Sequence, residues 1–320
     1  MKNRLYVVIP CYNEQDALPK TAQVLKKKIC DLIELDKISK SSKICFVNDG
    51  SSDQTWDIIC GLSRDNSLFT GINLSANRGH QNALLAGLIR SKDRADMVIS
   101  MDADLQDDVD AIDEMIDKYL NGCDIVYGVR ESRKTDSSLK RMSAEFFYKV
   151  MNKLGAKTIF NHADFRLMSK RAIEALSQFK EVNLFLRGMV PMIGFRSDYV
   201  YYSRKKRELG ESKYPLSKML SLAFDGITSF SIKPIRIISL VGILSLVLSF
   251  IMLIYTFYRF ITGNVVWGWA STIISIWTIG GLVLLSIGIV GEYVGKIYME
   301  TKRRPRFIIQ DDLDENDNME

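Results

Sequence analysis

Met97-Val98-Ile99-Ser100-Met101-Asp102-Ala103-Asp104-Leu105-Gln106 is apolar but for one serine until it stops on two carboxylates. A short, nearly continuous apolar run of this kind is what a strand buried on both faces requires. The pattern repeats upstream: Leu5–Pro10 is followed by Asn13-Glu14, Ile44–Val47 by Asp49, and Phe69–Leu74 by Asn77-Arg78. Ile125–Val129 is a fifth run. Helical spacing fills the intervals, at Ala17–Leu35, from about Gln54, at His80–Arg90 and at Asp110–Leu120, with the turn cluster Asn48–Ser52 placed to cap the second of these. Strands alternating with helices predict βαβ units and an α/β fold built on a mostly parallel sheet. In such sheets ligands collect beyond the carboxyl ends of the strands, where all four polar clusters fall.

Two aspartates one residue apart at a strand end can bend toward one cation. With oxygen donors and no His or Cys beside them, Mg²⁺ or Mn²⁺ is the fitting ion, and substrate phosphates commonly complete its shell. Taken alone, Asp-x-Asp is also an ordinary surface pair. No G-x-G-x-x-G or G-x-x-x-x-G-K-[ST] sequence occurs, which argues against a dehydrogenase or an ATPase. The five cysteines form no C-x-x-C pair and have only two histidines for company, so free thiols in a reducing compartment are expected.

The C-terminal third changes character. Residues 235–258 carry one charge, Arg236, and residues 270–290 carry none. Each block is long enough to cross ~30 Å of hydrocarbon, and buried core helices of that length normally keep a polar face. Trp267 and Trp269 lie in the connector, and Lys218, Lys233, Lys296, Lys302, Arg303, Arg304 and Arg306 crowd the outer flanks. The positive-inside bias then predicts a two-helix hairpin with both flanks cytoplasmic. Residues 217–234 have amphipathic spacing suited to an interfacial helix or to packing on the sheet domain. The formal net charge is +5 although the last ten residues hold six acids and no base. The remainder is therefore basic, which fits phosphate-bearing partners or an anionic membrane surface; no nucleic-acid partner is expected.

Further motifs make the pattern specific. Val8-Ile9-Pro10-Cys11-Tyr12-Asn13-Glu14, Val47–Asp53 and Asp102–Gln106 resemble the family 2 inverting glycosyltransferases of GT-A fold. Asn77–Gln81, Asp164–Ser169, Gly210–Pro215 and Asp225–Phe230, with the hairpin, are similar to the bacterial polyprenyl-phosphate (bactoprenol) glucosyltransferase group, related to dolichyl-phosphate mannose synthase. The likeness runs from about residue 4 to 309 and leaves out the acidic tail.

The resemblance implies Pro10, Tyr12, Glu14, Asp49, Arg78 and Asp102 around a nucleotide sugar. It implies Asp102, Asp104 and Gln106 at the metal, and Asp104 and Asp164 in catalysis, Asp164 at the position usually proposed as base. A lipid monophosphate is already largely dianionic near neutrality, so Asp164 is expected to orient or balance charge as much as to take a proton. Candidate phosphate contacts are Arg130, Arg133, Arg141, Arg166, Arg207 and Lys213, although Arg204–Arg207 also reads as a generic basic run. Asp49 competes with its reading as a turn former, Arg78 with an ordinary position at a helix start, and His80 reads best as a capping or core histidine.

The implied activity is transfer of one sugar, glucose by preference, from a UDP-sugar to undecaprenyl phosphate, with inversion, at the cytoplasmic face of the bacterial inner membrane. Residues 1–216 would be the catalytic domain, 217–234 the juxtamembrane segment, 235–292 the two spans, and 293–320 a basic segment with an acidic tail. A flippase and a downstream glycosyltransferase are implied partners, and self-association is compatible with the sequence. Another sugar (N-acetylhexosamine, galactose, mannose or aminoarabinose) is the nearest alternative. A non-catalytic nucleotide-sugar binding protein is a more distant one.

Overall fold

The computed structural model describes residues 2–130, 162–182, 184–203 and 268–316, with scattered positions between 238 and 262. Five strands follow the apolar runs: β1 (Leu5–Cys11), β2 (Lys43–Asn48), β3 (Phe69–Leu74), β4 (Met97–Ser100) and β5 (Ile125–Arg130). Between them lie α1 (Leu18–Glu34), α2 (Thr55–Asp65), α3 (His80–Ser91) and α4 (Ala111–Leu120). The chain continues with β6 (His162–Ser169), α5 (Lys170–Ser177), α6 (Leu186–Met192) and β7 (Ser197–Tyr202). After α7 (Trp269–Thr301) come β8 (Ile309–Asp312) and the short α8 (Leu313–Asn316).

One eight-stranded sheet results, in the order β7-β5-β6-β4-β1-β2-β3-β8. β4, β1, β2 and β3 are mutually parallel, so their carboxyl ends share one rim. β6 is antiparallel to both β4 and β5, and β8 is antiparallel to β3, which makes the sheet mixed. Side-chain alternation along β1 splits its two faces. Leu5, Val7 and Ile9 enter a core with Leu18, Leu25, Ile29 and Leu32 of α1, all essentially unexposed. Burying each such side chain is worth about 1.5–3 kcal/mol. Val8 faces the other way, against α3, where a Cβ on Gly87 would lie 2.3 Å from Val8 Cγ1. The sheet is thus covered on both sides, which is why its central strands read as unbroken apolar runs.

Residues 309–316, with 311–316 read from sequence as the start of an acidic tail, return to this sheet. Ile72 pairs with Asp312 and Asn73 with Asp311 across the β3–β8 ladder. Asp312, 4% exposed, is held by Arg90 Nε at 2.5 Å and Arg94 Nη2 at 3.0 Å. Burial alone would raise its pKa, but the two guanidiniums bring it below the usual carboxylate range. Asp314 pairs with Lys43 and Arg94 and accepts from the Tyr6 hydroxyl at 2.9 Å. Arg306 donates to the Phe179 carbonyl. These buried acids are structural because each is met by cations and donors that the helices and strands already hold in place.

The chain divides into two compact units: the sheet unit, which includes residues 304–316, and a unit holding α7. Among the described residues one helix is long and apolar enough to cross a membrane: the segment Thr278–Thr301 contains an 18-residue stretch of mean hydropathy 1.6, none of it buried. The described positions between 238 and 261 are helical, but much of the 235–258 block and all of 217–234 lie outside the described residues.

Candidate active site

The loops after β1 and β2 are stitched together. Asn13 N donates to Ser51 Oγ at 3.0 Å, Glu14 N to Thr55 Oγ1 at 2.9 Å, and Ser52 N to Asn13 Oδ1 at 2.9 Å. The turn at 48–52 therefore clasps the first loop, and no side chain caps α2 at Gln54. Pro10 is buried in β1, whereas Tyr12 is 45% exposed at the rim. Asp49 is buried and accepts from the backbone amides of Arg78 at 2.7 Å and Gly79 at 2.9 Å. Burial raises its pKa, and those two amides oppose the rise. Asp49 thus fixes the loop before α3, while each carboxylate oxygen keeps a lone pair for a further donor.

Gly50 makes this junction tight. Its φ is +62°, and a Cβ there would lie 2.5 Å from Asn77 N and 2.7 Å from Ala76 C, both backbone atoms that cannot swing aside. Gly50→Ala is expected to push the 76–79 loop off Asp49 and to lower stability by about 1–3 kcal/mol. Thermal melts of the variant check this, and an unchanged melting temperature would contradict it.

Beyond β4 the chain turns sharply, with Leu105 at φ +52°. Asp102 is about one-third exposed, Asp104 Oδ1 accepts from Gln106 N at 3.2 Å, and Gln106 is buried. Burial pushes the Asp102 carboxyl up to about 6; His80 opposes this, while Asp164, Asp107 and Asp104 add to it. Nearby, Asp107 accepts from Tyr202 and Arg130 through Oδ1, and its buried Oδ2 has no hydrogen-bond partner among the described residues. A site so crowded with carboxylate is one a divalent cation would relieve. The described residues hold no group of three or more His, Cys, Asp or Glu side chains arranged around one ion. Asp102 and Asp104 would supply two donors, leaving the other positions to water and phosphate, as hard cations of this kind prefer.

β6 brings in the second half of the site. Asp164 Oδ1 accepts from Arg166 Nη2 at 2.8 Å, and Oδ2 accepts from Arg187 Nη2 of α6 at 2.9 Å. His80 Nε2, in the first turn of α3, lies 3.5 Å from Asp102 Oδ1 and 3.7 Å from Asp164 Oδ2. Burial would raise the Asp164 pKa, but Arg187, His80 and Arg166 together hold it well below the ordinary range. Burial opposes the charge on His80, yet Asp164 and Asp102 raise its pKa overall.

The expectations are therefore partly revised. The structure gathers Asp102, Asp104 and Asp164 at one rim, next to His80 and the loop before α3 that Asp49 holds through the Arg78 and Gly79 amides. His80 is neither a cap nor a core residue: Gly79 is the N-cap, and the imidazole is 40% exposed between two carboxylates. Arg166 cannot be a phosphate contact in this arrangement, since its side chain is 0% exposed and serves as counter-ion to Asp164. Arg130, at the end of β5, is committed to Asp107 and Tyr202 with a quarter of its side chain exposed. Arg133, Arg141, Arg207 and Lys213 lie outside the described residues. Sequence reading missed Arg187, although a lone charge within the otherwise apolar Leu184–Pro191 was the available signal.

Residues 6–177 match the family described as glycosyl transferase family 2. The chain is 54% identical over 309 residues to the uncharacterized glycosyltransferase YkoT of Bacillus subtilis (strain 168), covering 97% of this chain and 92% of that one. It is 39% identical over 312 residues to the bactoprenol glucosyl transferase of Shigella phage SfX, covering 96% and 99%. Among solved structures it is similar to glucosyl-3-phosphoglycerate synthase from Mycobacterium tuberculosis in complex with phosphoglyceric acid, at 13% identity and a TM-score of 0.44 over 71% of this chain and 79% of that one. That structural likeness is too slight to bear on the chemistry. The sequence relatives are not: this chain belongs to glycosyl transferase family 2 and is a glycosyltransferase, similar along nearly its whole length to a bactoprenol glucosyl transferase.

Proposed function

We propose that the protein transfers glucose from UDP-glucose to undecaprenyl phosphate, with inversion, at the cytoplasmic face of the membrane. The observation that carries this reading is the placement of Asp102 and Asp104 beside the ion-paired cluster of His80, Asp164, Arg166 and Arg187. It is reinforced by relatives named bactoprenol glucosyl transferase at 39% identity. Tyr12, Glu14, Asp49 and Arg78 line the nucleotide side. Mg²⁺ or Mn²⁺, held by Asp102 and Asp104 with Gln106 beside them, would neutralise charge on the departing UDP. Asp164, kept ionised, orients Arg187 and His80 toward the cleft. Arg187, 40% exposed while bound to Asp164, is suited to receive the acceptor phosphate. The phosphate dianion needs no strong base, so a carboxylate with a depressed pKa is no handicap.

Chain connectivity supports the membrane hairpin. The described residues up to 203 and residues 304–316 fold into one unit, so a chain crossing a bilayer between residues 203 and 304 crosses it an even number of times. α7 provides one span and the 235–258 block the other. A cysteine at Asn264 is then expected to react with an impermeant maleimide in intact cells, and one at Gln310 is not. For the reaction itself, full-length protein in detergent, short-chain undecaprenyl phosphate analogue and a panel of labelled UDP-sugars are sufficient. Metal-dependent formation of a glucosyl-phosphate lipid is expected. Binding of UDP-glucose with no transfer to any polyprenyl phosphate would favour a sensor instead, and a different sugar in the product would replace glucose.

A further inference from the structure

Asp311 is joined to the nucleotide-side loops by an unbroken line of hydrogen bonds. Its Oδ2 accepts from Asn73 Nδ2 at 2.9 Å across the β8–β3 ladder. Asn73 Oδ1 accepts from Asn48 Nδ2 at 2.8 Å, and Asn48 Oδ1 accepts from Ser51 N at 3.3 Å. Ser51 Oγ in turn accepts from Asn13 N at 3.0 Å. Asn48 and Asn73 are 3% and 8% exposed, so water cannot readily stand in for a missing partner.

The line has a fixed direction. An ionised carboxylate only accepts, so Asp311 compels Asn73 to turn its NH₂ toward β8 and its carbonyl toward β2. Asn48 must then present NH₂ to Asn73, which leaves its carbonyl oxygen for Ser51. The Ser51 N–H demands the same direction from the other end, so without an acceptor at 311 the buried Asn73 NH₂ is left unpaired and the line that steadies the turn carrying Asp49 and Gly50 is loosened. One end of the line thus lies in the strand that follows the apolar helices, and the other lies between Tyr12 and Asp49.

We infer that Asp311 is a positioning residue for the nucleotide sugar, acting through Asn73 and Asn48, so that the strand following the apolar helices completes the donor site. This rests on the reading of the loops at 10–14 and 48–52 as the nucleotide side. It goes beyond that reading in assigning a role to the acidic C-terminal segment. By linkage, UDP must tighten the docking of β8 as much as docked β8 tightens UDP.

The test uses the full chain in detergent with UDP, UDP-glucose and Mn²⁺. Asp311→Leu is expected to raise the UDP Kd and the UDP-glucose KM by about five- to tenfold, with kcat within about twofold. Asp311→Asn, which keeps an acceptor oxygen, should restore both, and Asn73→Ala/Asp311→Leu should be no worse than Asn73→Ala alone. A wild-type UDP affinity in Asp311→Leu, or an Asp311→Asn as impaired as Asp311→Leu, would overturn the inference. Hydrogen exchange on the wild-type protein gives a readout that needs no variant: UDP should slow exchange of the 309–312 amides, and unchanged exchange with UDP bound overturns it equally. Wild-type protein that binds no UDP at all would remove the underlying reading of the loops, a result distinct from either.

Discussion

Asp102→Asn is expected to lower sugar transfer by about 10²–10³-fold while leaving the metal-free fold at least as stable as wild type. The two effects come from one cause. Asp102 is partly buried near Asp164, Asp107 and Asp104, and its carboxyl is pushed up to about 6. A folded-state pKa above the unfolded value of about 3.9 means that the native protein binds this proton more tightly. The contribution to stability is complete below about pH 4 and is lost as pH rises through about 6. With a third of the side chain open to solvent, the penalty above that point is on the order of 1 kcal/mol. Asn carries no charge at any of these pH values, so the variant should lack this slope. A bound cation would remove the penalty in the wild type and would lack a donor in the variant. Melting curves in EDTA from pH 4 to 8, with initial transfer rates over a Mn²⁺ and Mg²⁺ titration, separate the two. Asp104→Asn should share the loss of transfer. Metal-independent transfer at the wild-type rate in either variant would end the case for a cation here.

The parts of the fold that the sequence disclosed share a physical reason. β1 to β5 read correctly because strands covered on both faces must be apolar throughout, and α1 to α4 because each lays one apolar stripe on the sheet. β6 was legible as a motif and not as a strand, since Asp164-Phe165-Arg166-Leu167-Met168-Ser169 buries an ion pair where an apolar alternation is expected. β8 was hidden in an acidic run, because the cations that make Asp312 and Asp314 buriable, Lys43, Arg90 and Arg94, lie more than 200 residues earlier. The site divides in the same way. Asp49, Asp102 and Asp104 stand just beyond strand ends, which sequence pattern can find, whereas Asp164 lies inside β6 and was reached only through the family motif. Whether Arg166 faces a ligand or a buried carboxylate, and whether His80 faces the core or the cleft, depends on packing between β6, α3 and α6. No local spacing encodes that packing.

Asp164→Ala is expected to destabilise the sheet unit by about 3–5 kcal/mol, as loss of one partner of a buried pair does. Arg166 is 0% exposed, its Nε has no partner among the described residues, and its remaining contact is a long one, Nη1 to the Leu186 carbonyl at 3.4 Å. Without Asp164 a guanidinium is left in the core with little to balance it. The pKa direction agrees: burial raises it, but Arg187, His80 and Arg166 hold Asp164 well below its unfolded value. Its contribution is therefore present at neutral pH and is lost only in strong acid. A carboxylate so held is a weak proton acceptor, so Asp164→Asn should scale the pH–rate profile down between about pH 6 and 8 without removing a limb from it. Loss of a limb with unchanged melting would instead make Asp164 the general base. The double variant Asp164→Ala/Arg166→Met isolates the electrostatic part, because deleting both charges removes the buried imbalance. It should recover most of the lost stability in urea unfolding. It should recover none of the transfer, since Arg187 and His80 would still lack the carboxylate that aims them.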